Sequence, residues 1–184
     1  IIRPAPDSPY GVEFLFLQDG KFIPVPLVMK NNQITASVKK GDLVAVKLYN
    51  SSGYEAAADV LVDGLSRFIT ASSEENRNCL DLIENDKPRL ITGWYKDNQS
   101  VDSFRVGSYS RSVGFQFDAD PGSAGTFTIA FRSAWKEGAQ PPPNEPPKTR
   151  GPGIERGPER LDPTVNVKRE TGRVRAIVKI YYDE

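Results

Sequence analysis

The chain has 184 residues, 24 basic and 24 acidic side chains and hence no net charge, no histidine and a single cysteine. Balanced charge leaves no global field to draw in nucleic acid or an anionic membrane, and the missing histidine removes the commonest general base and metal ligand along with the usual serine or cysteine triad. Cys79 alone permits neither an intrachain disulfide nor a multi-cysteine zinc site, and no stretch approaches the ~20 apolar residues of a membrane-spanning helix.

The length fits one domain, residues 1–184, able to bury a core without covalent staples. A start at Ile1 without methionine leads to the expectation of a processed or excised piece. Ile1 to Tyr10 carries Pro4, Pro6 and Pro9, an extended lead-in. Val12 to Leu17 and Phe22 to Val28 flank Gln18-Asp19-Gly20 and read as a hairpin, with Pro24 and Pro26 confining the second strand to a sheet border. Gln33 to Val38 is a short strand.

Leu43 to Leu65 is the stretch on which the reading centres. Val44, Val46 and Leu48 alternate with Ala45, Lys47 and Tyr49, and Ala58, Val60 and Val62 alternate with Ala57, Asp59 and Leu61. Period two places successive side chains on opposite faces of a sheet. The polar turn Asn50 to Gly53 and the Asp63-Gly64 pair predict a three-strand meander running into Ser66 to Thr70. Ser72 to Asn78 reads as a loop, preferred over a helical turn started by Ser73. Strands are predicted for Leu80 to Ile83, Arg89 to Thr92 and Ser103 to Val106, and for Val113 to Phe117, Thr126 to Arg132 and Arg173 to Tyr182.

Lys136 to Pro163 differs in composition, with eight prolines, four glycines and almost no large apolar residue. Such a segment is an extended arm, and it is an insertion because a strand follows it. Roughly ten strands at close spacing, with glycine and proline turns, predict an all-β antiparallel β-sandwich of Ig-like or jelly-roll type with a long Pro-rich insertion before the last strand; a closed barrel is the alternative.

Several landmarks occur in order: Val44 to Asn50, Tyr54 to Leu65 ending Val-Asp-Gly-Leu, Gly93-Trp94-Tyr95 with Phe104 ten residues after the tryptophan, Gly125 to Phe131, and Gly172 to Tyr182. They resemble a group of uncharacterised bacterial β domains, over about Leu43 to Glu184, with residues 1–40 outside the match. The resemblance implies a sandwich and an envelope-associated or secreted setting, and it carries no activity across.

Among candidate sites, Trp94, Tyr95 and Trp135, with Tyr54 and Tyr109, are the flat rings a carbohydrate surface needs, while the plainer reading makes them core plugs. Asp118 with Asp120, or Asp97 with Asn98, could offer oxygen ligands to calcium, though Asp-x-Asp in a Pro-Gly turn is ordinarily just a turn, and no metal or other cofactor is expected. Ser108, Ser110 and Ser112 have no histidine to deprotonate them, and the expectation is a protein that is not an enzyme. Polyproline geometry lowers the entropy cost of docking, so Pro141, Pro142, Pro143, Pro146 and Pro147 are expected to contact a neighbouring subunit, of the same or another protein. An arm folded back over its own sandwich is the equal alternative. The function expected is therefore a non-catalytic structural or accessory binding subunit of a larger bacterial assembly or cell-envelope protein. A carbohydrate-binding module that takes a glycan on exposed aromatics is the rival. Exposed, coplanar Trp94, Tyr95 and Trp135 would favour that rival.

Overall fold

The computed structural model describes residues 1–145, 159–161 and 165–183. Its strands are β1 (Tyr10–Gln18), β2 (Lys21–Pro24), β3 (Leu27–Lys30), β4 (Gln33–Ser37) and β5 (Leu43–Asn50). There follow β6 (Ala56–Val62), β7 (Leu65–Ser66), β8 (Asp81–Ile83), β9 (Arg89–Ile91) and β10 (Gly93–Tyr95). The series closes with β11 (Val101–Arg105), β12 (Thr126–Lys136), β13 (Glu159–Leu161), β14 (Val165–Val167) and β15 (Arg169–Asp183). They form two packed sheets, an all-β sandwich. One runs β10-β11-β5-β1-β2 with β9 also on β5, and the other runs β14-β13-β8-β6-β12-β15-β4-β3 with β7 on β6. Pairing is antiparallel except for β15 with β4 and β13 with β8.

The core lies between the sheets because the alternating apolar residues point there. Val12, Phe14, Val44, Val46 and Leu48 come from one sheet, and Val60, Phe127, Ile129, Phe131, Val178 and Ile180 from the other, all buried. Aromatic rings tie the layers together: Tyr10 stacks on Phe131 with centroids 5.0 Å apart, and Phe14 and Phe104 each meet Phe127 edge-on at 5.3 Å. Such pairs add about 0.5–1.5 kcal/mol each beyond simple burial.

The meander expected around Leu43 to Leu65 does not form as read. β5 and β6 belong to different sheets, so the polar connection after Asn50 crosses the roughly 10 Å between layers and does not close a hairpin. Asn50 fixes the crossing from a buried position: its amide donates to the carbonyls of Tyr54 (2.8 Å) and Ile83 (3.0 Å) and its oxygen accepts from the Ser52 amide (3.1 Å). The Asp63-Gly64 turn does close a hairpin, with both residues at positive φ, but β7 is only two residues long.

Likewise Phe22 to Val28 is broken at Pro24-Val25-Pro26 into β2 and β3, which lie at the borders of opposite sheets. The border position expected from the prolines holds for both pieces. Ser73 to Asn78 is a 3-10 turn over Glu74–Asn78 whose Ser73 side chain makes no capping bond. Val113 to Phe117 is also not a strand. The Ser112 hydroxyl accepts from the Phe115 amide at 3.1 Å and starts a one-turn helix, α1 (Val113–Gln116).

Candidate functional site

One end of the sandwich opens into a cleft of about 510 Å³, continuous through shared walls with an inner cavity of about 250 Å³. The turn leading into β5 contributes Val38, Lys40 and Gly41, and the end of β11 and the chain leaving it contribute Arg105 to Tyr109, Arg111 and Ser112. Asp63 lies at the floor, and Tyr182 and Asp183 close the far side. The two spaces share Asp63, Arg105, Val106, Arg111, Ser112 and Tyr182.

The polar groups of the floor are occupied by the fold itself. Buried Asp63 accepts from the amides of Gly125 (2.9 Å) and Thr126 (3.4 Å) and from the Tyr182 hydroxyl (2.8 Å). Burial, reinforced by the Asp63 charge, raises the Tyr182 phenol far above its ordinary value, so it remains a neutral donor. Ser112 is committed as well, since its hydroxyl donates to the Tyr109 carbonyl at 2.7 Å while capping α1. These bonds pin the β6–β7 turn to the start of β12 and the end of β15, which gives the cleft a rigid floor.

The rim and outer wall are different. Lys40, Arg105 and Arg111 are exposed and have no ion-pair partner among the described residues. Beside them Tyr109 meets Phe115 edge-on at 5.9 Å, and Tyr109, Phe115 and Phe117 are 39%, 57% and 44% exposed.

The rings that a carbohydrate surface would need are placed elsewhere. Trp94, Tyr95 and Trp135 are all buried, as the plainer reading of core plugs has it, so they do not form the flat, accessible platform of the carbohydrate rival. Trp94 turns into the core against Phe104 at 5.5 Å, where it also borders the inner cavity. Tyr95, its neighbour on β10, faces the opposite way onto Phe68 at 5.1 Å, as strand alternation requires. Trp135 donates its indole N–H to Glu170 at 3.1 Å. Tyr54 is 45% exposed and borders a second crevice, between the lead-in and the arm, with no second exposed ring beside it.

The described part of the arm folds back over its own sandwich. Pro142 is buried and Pro141 and Pro143 are exposed, while Pro146 and Pro147 lie outside the described residues. Glu145 is the anchor: its carboxylate accepts from the Ser133 hydroxyl, the Arg173 amide at 2.8 Å and the Arg175 guanidinium. Gly172 makes room for it, because a Cβ there would fall 2.0 Å from the Glu145 carboxylate. The alternative of an arm folded back over its own sandwich thus holds as far as Glu145, whose buried carboxylate is satisfied within the chain, while Pro141 and Pro143 stay exposed.

The candidate calcium ligands are engaged in turns. Asp120 accepts from the Gly122 amide at 3.2 Å, and Asp97 accepts from the Gln99 and Ser100 amides at 2.8 and 2.9 Å. Among the described residues no group of three or more His, Cys, Asp or Glu side chains is placed to hold a metal ion. Cys79 is buried. Sequence reasoning did not find the rim, because Lys40, Arg105 and Arg111 are far apart in the chain and share no motif. The Ser112 cap was the local signal for α1 and its exposed rings.

Comparison with protein-family models, curated proteins and solved structures returns no match for this chain.

Proposed function

We propose that this protein is a non-catalytic binding module, an accessory subunit that holds a segment of another polypeptide in the cleft beside α1. The observation that carries the reading is the division of labour between that cleft and the α1 surface next to it. Asp63, Tyr182 and Ser112, the polar groups suited to chemistry, are all spent on internal bonds, whereas the cations and the Tyr109, Phe115 and Phe117 rings face outward.

The size of the effect can be bounded. Three aromatic rings about half exposed leave roughly 300 Å² of apolar surface, worth ~7 kcal/mol at about 25 cal/mol per Å². Association costs about 4–15 kcal/mol before any contact is counted. The patch alone therefore supports weak, reversible binding, and a micromolar complex needs the rim charges or the cavity to contribute.

The test is a selection of random displayed peptides against the full chain, repeated with Gly107→Phe. Gly107 lines the cleft and a Cβ built on it meets open space, so the substitution fills the cleft without a clash at its first atom. Peptides enriched on the native chain and lost on the filled variant support the reading. Enriched peptides that bind both proteins equally, or no enrichment, would refute it.

A further inference from the structure

We infer that the occupant of the cleft is an acidic segment, with carboxylates on Arg105, Arg111 and Lys40 and an apolar side chain seated in the inner cavity beside Trp94. This rests on the binding-module reading and adds the chemistry of the partner. The acids lining the two spaces each have an internal partner: Asp63 holds the Tyr182 hydroxyl, Asp102 pairs with Lys96 at 3.4 Å, and Asp183 pairs with Lys30. The rim cations have none among the described residues. Counting those partners, Lys30, Lys40, Lys96, Arg105 and Arg111 face Asp63, Asp102 and Asp183, a local excess of positive charge on a chain with no net charge.

Val44, Val62, Trp94, Phe104, Val106 and Phe127 give the cavity of about 250 Å³ a largely apolar wall, which Arg105 and Arg111 also border. A carboxylate beside a medium-sized apolar side chain matches both parts. Arg suits the first, since its planar fork binds a carboxylate through two parallel N–H bonds. A nucleic-acid strand matches less well, because three cations neutralise few phosphates.

Trp94 supplies the probe. In the full chain carrying Trp135→Phe it is the remaining tryptophan, so its fluorescence reports the inner cavity. Short peptides alternating Glu with Leu, or Lys with Leu, are titrated in, with a single-stranded oligonucleotide as a third ligand. The acidic peptide should give a saturable change that weakens with added salt. Arg105→Glu and Arg111→Glu should each weaken it by about tenfold, and Lys179→Glu, on an exposed position of β15 away from the cleft, should leave it unchanged. Arg105→Gln and Arg111→Gln guard against a folding defect from charge reversal. An equal response to the basic peptide, no saturable response to the acidic one, or indifference to the Arg changes would overturn the inference. Tighter binding of the oligonucleotide would overturn it in favour of nucleic acid. If selected peptides depend on Gly107 but are uncharged, the acidic partner is wrong while the binding module stands.

Discussion

Replacing Asp81 with alanine removes the centre of the best-buried ion cluster in the molecule. The Asp81 side chain is fully buried and accepts from the Arg67 guanidinium at 2.5 and 2.6 Å and from Arg89 at 3.2 Å. Arg67 is also buried, donates to the Gly93 carbonyl at 3.1 Å, and lies 4.4 Å over the Phe68 ring. The cluster joins the sheets, since Asp81 is on β8 while Arg89 and Gly93 begin β9 and β10. Without Asp81 the Arg67 charge is left in the interior with one carbonyl, a change that costs about 3–5 kcal/mol. At a urea m-value of about 2 kcal/mol/M, the midpoint should fall by roughly 1.5–2.5 M. Much of that loss is an unpaired charge, so Arg67→Met with Asp81→Leu should recover at least half of it. Urea unfolding followed by circular dichroism measures both variants. A loss below ~1 kcal/mol for Asp81→Ala, or a double variant as weak as the single one, would show that the pair does not hold the sheets as argued.

Other perturbations probe the arm and the turns. Gly172→Ala should expel the Glu145 carboxylate and expose residues 140–145 to protease while leaving the sheets intact, because the clash is with the far end of a side chain; unchanged cleavage would contradict the docking. Burial works to raise the Glu145 carboxyl, but the Ser133 hydroxyl, Arg175 and the Arg173 amide outweigh it and hold it below its ordinary value. Its stabilisation is then complete above the free-carboxyl value and is lost as pH falls through the lower, docked one, so arm cleavage should rise only below the ordinary carboxylate range; a pH-independent rate speaks against it. Gly93→Ala should be severe, since its Cβ would lie 2.3 Å from the Asp102 carbonyl oxygen on the paired strand, and should cost about 1–3 kcal/mol or more in urea unfolding. Asn50→Ala leaves the buried Ile83 carbonyl without this donor and should cost about 1–3 kcal/mol; a change within ~0.5 kcal/mol would mean that the crossing between sheets does not need it.

The sandwich was legible where burial is one-sided. Alternation at Val44, Val46 and Leu48, and at Phe127, Ile129 and Phe131, marks strands whose inner faces are buried as expected. Partners were harder to read, because Asn50 to Gly53 has the same turn chemistry whether the chain doubles back or crosses to the other layer. What settles the matter is the distant Ile83 carbonyl that accepts from Asn50. Three alternating residues, Val113, Phe115 and Phe117, were too few to separate a strand from one helical turn, and the Ser112 cap decided it.

The site was less legible for a related reason. Aromatic identity does not reveal burial: of the rings singled out, Trp94, Tyr95 and Trp135 are buried and only Tyr54 and Tyr109 are exposed, while Phe115 and Phe117 beside Tyr109 were read as strand residues. The arm was visible from composition, but nothing local to Glu145 marks it as an anchor. Its partners Ser133, Arg173 and Arg175 are brought to it only by the pairing of β12 with β15.

A partner held in the cleft beside α1 should protect the backbone around it from solvent. Hydrogen exchange of the full chain, with and without a peptide selected on it, tests this most directly. The account expects slowed exchange in residues 38–41 and 105–117, with residues 140–145 unchanged. Protection centred on residues 140–145, or on neither segment when the peptide is bound, would contradict it.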